Sequence, residues 1–245
     1  MEVESFQILF DSEETHWWLA TRRNMVLDWI DQRYAPRHDL RMLDVGCGTG
    51  QLLRELAPFG RAVGVDASDE ALAFSRRRGR LTVRKADVTR LPFADDTFDV
   101  LTAVDVLEHI EDEVTALSEW KRVLRPGGRL FVFVPAHQWL WSLQDEISGH
   151  YRRYTARSLA RAVEEGGLQM ERMSYVSTFL FPVIYIGRLW LKLVRRWRNV
   201  TTENTLHPAW ANGVLARIFG AEIRVLRRMR LPFGASLLCV ARKET

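Results

Sequence analysis

Cysteine is scarce: Cys47 and Cys239 are the two in 245 residues. They lie far apart and neither stands at a metal-ligand spacing, so no disulfide framework and no metal site is expected. Basic residues are missing from residues 1–15, which carry Glu2, Glu4, Asp11, Glu13 and Glu14. A secretory leader needs a basic start before its apolar run, so a reducing cytoplasmic setting is expected. Long apolar runs are missing as well. The uncharged stretch over residues 175–187 is 13 residues long, short of the ~20 that a helix needs to cross a bilayer.

What is present is the composition of a globular protein, 47% hydrophobic and 27% charged. The length suits one large α/β domain with an insertion, or two small domains. The net charge of +4 is unevenly spread. Residues 188–230 hold ten Lys/Arg against Glu203 and Glu222, while the remainder holds 25 bases and 29 acids. The basic character is therefore local.

The rest of the chain is organised around residues 43–50, Leu-Asp-Val-Gly-Cys-Gly-Thr-Gly. An apolar run before it reads as a strand (40–45) and the residues after it read as a helix (50–58). Gly46, Gly48 and Gly50 fill the turn, where the backbone must bend sharply and approach a ligand closely. The helix start behind them presents unpaired N–H groups. Asp66 follows a second strand (61–65), placed to accept hydrogen bonds from a ribose.

Downstream the pattern alternates. A helix runs from its cap Ser68 to residue 79, then come strands at 81–86 and 98–104, and a helix at 111–123. Strand 129–134 follows the turn at 126–128, helix 155–165 comes next, and then strand 168–178. Alternation of this kind predicts a doubly wound, mostly parallel sheet with right-handed crossovers. Residues 11–34 read as one helix, with Asp11 and Glu14 as a capping box or Ser12 as a rival cap.

Several motifs, in order and at strand ends, resemble the class I S-adenosylmethionine (SAM) methyltransferases, in particular the bacterial ubiquinone/menaquinone-methylase-like group. They are Asp-x-Gly-x-Gly-x-Gly at 44–50, the acid Asp66, the run Ala86-Asp87-Val88, Phe98-Asp99-Val100 followed by residues 105–109, and the 124–128 turn. The resemblance covers residues 40–178. It implies a seven-stranded α/β Rossmann-like fold as a single domain. Residues 1–39 would form N-terminal cover helices, 40–178 the SAM-binding core and 235–245 the last strand; the family closes its sheet with a hairpin of the last two strands, and here the chain departs from it, with 179–234 as a helical insertion or lid between them. The cofactor would be SAM, with S-adenosylhomocysteine as product, held by Asp44, Gly46, Cys47, Gly48, Gly50, Asp66, Ala67, Asp87, Val88 and Asp105. In the cover helix Arg22 or Arg23 would pair with the cofactor carboxylate, and Trp18 would line the acceptor pocket.

Methyl transfer to a hydroxyl or an acidic carbon needs a base, and histidine suits that role. His109, past the fourth strand, and His150, after the fifth, are the candidates; for His109 the alternative is orienting the cofactor loop. His150 lies in Gly149-His-Tyr-Arg-Arg-Tyr-Thr155, on a long loop of the kind that usually carries function. Arg152, Arg153 and Tyr154 there suit an anionic acceptor. No Asn/Asp-Pro-Pro-Tyr run follows the fourth strand and no cysteine lies on the fourth- or fifth-strand loops, which argues against nucleic-acid amino methylation and covalent cytosine chemistry.

Within 179–234 two helices segregate basic and apolar faces. Leu189, Trp190, Leu193, Val194 and Trp197 oppose Arg188, Lys192, Arg195 and Arg196. Val214, Leu215, Ile218, Phe219, Leu226 and Met229 oppose Arg217, Arg224, Arg227 and Arg228. Either a lid over the acceptor or an anionic membrane surface at the inner membrane face, met through 188–230, would use such faces. The expected acceptor is small or lipid-like. An RNA or protein acceptor, or a non-catalytic SAM- or partner-binding module, is the alternative; nucleic acid is disfavoured because Trp and Leu fill the faces opposite the arginines.

Overall fold

A computed structural model describes residues 3–194 and 208–244. Seven strands form one sheet: β1 Leu40–Val45, β2 Gly60–Asp66, β3 Thr82–Lys85, β4 Phe98–Val104, β5 Leu124–Pro135, β6 Gln169–Val176 and β7 Ser236–Arg242. Their order is β3-β2-β1-β4-β5-β7-β6, with β1 to β5 parallel and β7 antiparallel to both of its neighbours. The order reverses between β1 and β4, which opens a crevice at the carboxyl ends of those strands, where open α/β sheets take their ligands.

Strand parity builds two cores. Leu43, Val45, Leu130, Val132, Val134, Leu237 and Cys239 turn to one face, against Trp120 and Leu117 of α5 (Glu113–Val123) and Leu159 and Val163 of α7 (Ala156–Glu165). Leu40, Met42, Phe131, Phe133, Leu238 and Val240 turn to the other, against α2 (Trp17–Tyr34) and α9 (Ala209–Leu226). Strands buried on both faces explain the unbroken apolar runs of β5 (residues 130–135) and β7 (residues 237–241). Helix α2 buries Trp17, Thr21, Met25, Val26, Trp29, Ile30 and Tyr34, one stripe at helical spacing. Helices α3 (Gln51–Glu55), α4 (Asp69–Arg77), α6 (Leu143–Ser148) and α8 (Phe181–Val194) complete the set, with Ser68 capping α4 by accepting from the Ala71 N–H at 3.2 Å.

The N-terminal segment departs from the expected single helix over 11–34. Helix α1 covers Val3–Ser12, and α2 restarts at Trp17. The break lies where Glu13 and Glu14 leave the helix for distant arginines: Arg78 meets Glu13 at 3.0 Å and Glu14 at 3.3 Å, and Arg54 meets Glu14 at 2.7 Å. The capping box at Asp11 does not form. Instead Asn212 of α9 accepts from the Trp17 N–H at 2.8 Å and donates to the Thr15 carbonyl at 2.7 Å, capping α2 from the far end of the chain.

Helices α8 and α9 do stand between the last two strands in sequence. Leu215, Phe219 and Leu226 pack inward, but Val214, Ile218 and Met229, expected on the same face, are exposed. The wheel assumed one apolar side; packing on α2 takes only part of it. The faces expected from the side chains of residues 188–197 lie outside the described residues.

Candidate active site

The glycine loop leaves β1 and enters α3 with Gly46, Gly48 and Gly50 at φ +64°, +52° and +83°. Each glycine has its own reason. A Cβ on Gly46 would stand 2.5 Å from Val106 Cγ2, and one on Gly50 would stand 2.2 Å from Ser75 Oγ. A Cβ on Gly48 would meet nothing within 4 Å, so at this position the backbone faces open space. The two requirements predict different outcomes. Gly50→Ala should cost the fold roughly 1–3 kcal/mol through strain and overlap, read by urea unfolding. Gly48→Ala should cost about 1–2 kcal/mol for its left-handed backbone alone and in addition weaken SAM binding. Unchanged SAM affinity in Gly48→Ala would mean that no ligand approaches there.

Asp66, at the end of β2, accepts from the Gly48 N–H at 2.9 Å through one oxygen and from the Ser68 N–H at 2.9 Å through the other. A carboxylate has about four acceptor positions, so capacity for a ribose diol remains. Asp44 is buried beneath the loop and accepts from Thr102 Oγ1 at 2.7 Å; burial pushes its carboxyl up to about 7. Cys47 is buried, its thiol pushed up by burial and then by Asp44 and Asp66, so it packs rather than reacts. Asp87 is exposed, with one oxygen taken by the N–H and hydroxyl of Thr89; Val88 is half-buried and Ala67 exposed.

Asp105, just past β4, holds φ +53°, a left-handed conformation that a non-glycine residue rarely adopts and that concentrates at functional sites. Its carboxylate pairs with Arg22 of α2. Burial, then the neighbouring Arg23, pushes the Arg22 guanidinium down to about 10. Arg22 keeps a buried Nε without a partner. Arg23 is used up in a fork on Glu55, at 2.8 and 3.3 Å. Of the two arginines proposed from sequence for the cofactor carboxylate, Arg22 is the one at the crevice.

His109 and His150 meet edge to face, with ring centroids 4.6 Å apart. Glu108 lies beside them, fully buried, with neither carboxylate oxygen hydrogen-bonded. The loop carrying His150 is tied to this corner by the Tyr151 N–H, which donates to the Glu108 carbonyl at 2.8 Å. That loop is more ordered in outline than its sequence suggested: α6 crosses it and delivers Asp145, fully buried. Asp145 accepts from His150 Nδ1 at 2.8 Å, from Arg153 Nε and Nη2 at 2.7 and 2.8 Å, and from the Ser142 N–H at 2.8 Å.

Arg153 and Tyr154, singled out for the acceptor, are thereby placed inside the wall. Arg153 is spent on Asp145 and on the Ala136 carbonyl at 3.2 Å, and the buried Tyr154 hydroxyl donates to Glu113. Arg152 pairs with Glu113 at 3.1 Å and remains partly exposed. Trp18 stacks on Phe219 of α9, centroids 5.2 Å apart and planes 15° from parallel. Sequence reading passed over Glu108, Asp145 and Arg78. Glu108 stood inside the quoted 105–109 run. Asp145 had a local signal in Ser142, three residues earlier, a helix-start spacing. Arg78, which donates to the Thr49 carbonyl at 2.8 Å and the Phe10 carbonyl at 2.9 Å and so ties α1 to the glycine loop, had none.

A glycine turn open to a ligand at Gly48, a carboxylate after β2 and a crevice at the switch in strand order define an open α/β domain with an adenosyl-cofactor site. Residues 43–132 match the family described as "Methyltransferase domain", and the fold is that of the class I SAM-dependent methyltransferases. The chain is 36% identical over 135 residues to the ubiquinone/menaquinone biosynthesis C-methyltransferase UbiE of Paracoccus denitrificans, covering 49% of this chain and 52% of that one. It is 29% identical over 202 residues to the ubiquinone biosynthesis O-methyltransferase of Thiobacillus denitrificans, covering 70% and 86%. The chain spans about half the length of the first curated relatives it matches. The fold is shared with a chain of the complex between the Haloferax volcanii Trm112 methyltransferase activator and a methyltransferase, TM-score 0.64 at 18% identity over 99% of this chain and 94% of that one. The residues present fit the family's cofactor, SAM: open space faces Gly48, Asp66 keeps acceptor capacity, and Arg22 keeps an unpartnered donor.

Proposed function

We propose that this chain moves the methyl group of SAM to a small or lipid-like acceptor at an oxygen, nitrogen or carbon nucleophile. The observation that carries the reading is the pairing of His109 with His150 at the same sheet edge as the glycine loop. Bound SAM would supply an activated methyl: the carbon–sulfur bond breaks with its electrons going to sulfur, which leaves S-adenosylhomocysteine. Asp66 would hold the ribose, Arg22 the carboxylate, and the acceptor would be aligned in a water-poor corner under Trp18. His150 has Nδ1 fixed on Asp145, which leaves Nε2 to take the acceptor proton. A small acceptor is supported by the likeness to the two ubiquinone-biosynthesis methyltransferases.

Incubation of labelled SAM with lipid and soluble extracts tests the activity. Label in a small or lipid product supports the reading, label in RNA or protein redirects it, and SAM binding without turnover makes the chain a binding module. In the active case His150→Ala and Arg152→Ala should lower turnover at least ~10-fold with SAM affinity near wild type. An equal loss of SAM affinity would place the loop at the cofactor.

We also propose that the insertion meets an anionic membrane surface. No helix among the described residues is long and apolar enough to cross a membrane. However, Val183, Ile186, Trp210 and Val214 are exposed on α8 and α9, in the segment that carries the local positive charge. Basic residues at an anionic bilayer contribute about 1 kcal/mol each. The protein should co-sediment with anionic vesicles and poorly with neutral ones, and high salt should release it. Replacing Arg195, Arg196, Arg227 and Arg228 with glutamine should abolish binding. Absence of binding at every lipid composition would leave the insertion as a lid.

A further inference from the structure

We infer that Glu108, His109 and His150 form a binding site for a divalent first-row transition cation at the edge of the acceptor crevice. One potential ligand atom from each lies within 4.8 Å of the others. Ligands around an ion at about 2.0–2.2 Å stand roughly 3–4 Å apart, so a shift of under about 1 Å brings the three into register.

The surroundings prepare each ligand. Glu108 is fully buried and neither carboxylate oxygen has a hydrogen-bond partner. Such a group is costly unless something binds it, and an ion is one of the few explanations for it. His150 donates through Nδ1 to Asp145 at 2.8 Å, the carboxylate–histidine arrangement that fixes the tautomer and frees Nε2 for a metal. His109, exposed at the rim of the crevice, meets the His150 ring edge to face with centroids 4.6 Å apart. Asp145 is itself locked by Arg153, so the carboxylate that orients His150 cannot swing away.

Two imidazoles and one carboxylate suit zinc, iron, cobalt or manganese better than magnesium or calcium, which take oxygen ligands. With the cation bound, His150 Nε2 ligates instead of acting as a base, and three protein ligands leave coordination positions open for an acceptor oxygen whose proton the cation would loosen. That consequence rests on the methyl-transfer reading; the cation site does not. The expectation of no metal site rested on cysteine spacing; the fold brings His150 to His109 only in three dimensions.

The test uses the full chain, dialysed against a chelator and titrated with Co2+, Zn2+ and Mg2+ with neither SAM nor acceptor present. Co2+ should develop visible ligand-field bands to a single equivalent, Zn2+ should displace it, and Mg2+ should compete weakly. Glu108→Gln should weaken Co2+ binding at least ~10-fold. Because Glu108 is buried, His109→Ala serves as the second variant: it replaces a residue that reaches solvent, and it should weaken binding as much with an unchanged thermal melt. No bands up to about 1 mM Co2+, or the same affinity in wild type and both variants, would overturn the site. Either result leaves methyl transfer standing, because the titration does not depend on it.

Discussion

Asp145→Ala should destabilise the fold by about 3–5 kcal/mol, the cost of leaving one partner of a buried ion pair uncompensated. The stranded partner is Arg153, buried and bound to Asp145 through two nitrogens, and the same change frees His150 and uncaps α6 at Ser142. The wild type should also lose stability in acid. Burial alone would raise the Asp145 carboxyl, but the hydrogen bonds from His150 and Arg153 outweigh it and hold the group well below the usual carboxylate range. Its contribution is therefore complete above the unfolded value of about 3.9 and disappears as pH falls through the folded value. Urea unfolding at pH 7 and at pH 3 measures both effects. A loss under about 1 kcal/mol at pH 7 would show that Arg153 finds water or another partner, and the buried-pair account would fail.

Asp66→Ala should weaken SAM binding by about 1–3 kcal/mol, the range for a hydrogen bond to a charged group, or about 5- to 150-fold in Kd. The upper end is expected. The carboxylate that would hold the ribose also holds the Gly48 and Ser68 N–H groups, so its removal loosens the loop as well as the ligand. Asp66→Asn keeps an oxygen for one of those donors and should fall between alanine and wild type. Calorimetry showing wild-type affinity in Asp66→Ala would remove Asp66 from the cofactor site.

The parts of the molecule that were legible in sequence are those with local causes. Gly46, Gly48 and Gly50 mark the turn because left-handed backbone demands them, and β5 and β7 show as apolar runs because they are covered on both faces. Ser68 announced α4 three residues ahead of its hydrogen-bond donor. The illegible parts have distant causes. Nothing in residues 11–34 says that Glu13 and Glu14 will be drawn to Arg78 and Arg54, so the helix looked continuous. Arg153 and Tyr154 carry polar groups that in isolation suggest a surface facing an acceptor; only the fold reveals Asp145 and Glu113 waiting for them. The apolar stripe of α9 was readable, but how much of it α2 covers was not.

The Asn212 bridge sets an order of events during synthesis. The start of α2, with Trp17 and Trp18, leaves a ribosome before the sheet does, yet the side chain that satisfies its backbone arrives some 195 residues later. Contacts this remote in sequence form slowly, because a long loop must close first. Until α9 emerges, the sheet edge at Asp105 lacks its settled roof and two tryptophans lack Phe219. A nascent chain that ends before α9 also lacks β7, the strand that seats β6 beside β5, so neither the roof nor the far half of the sheet can be complete until both have emerged.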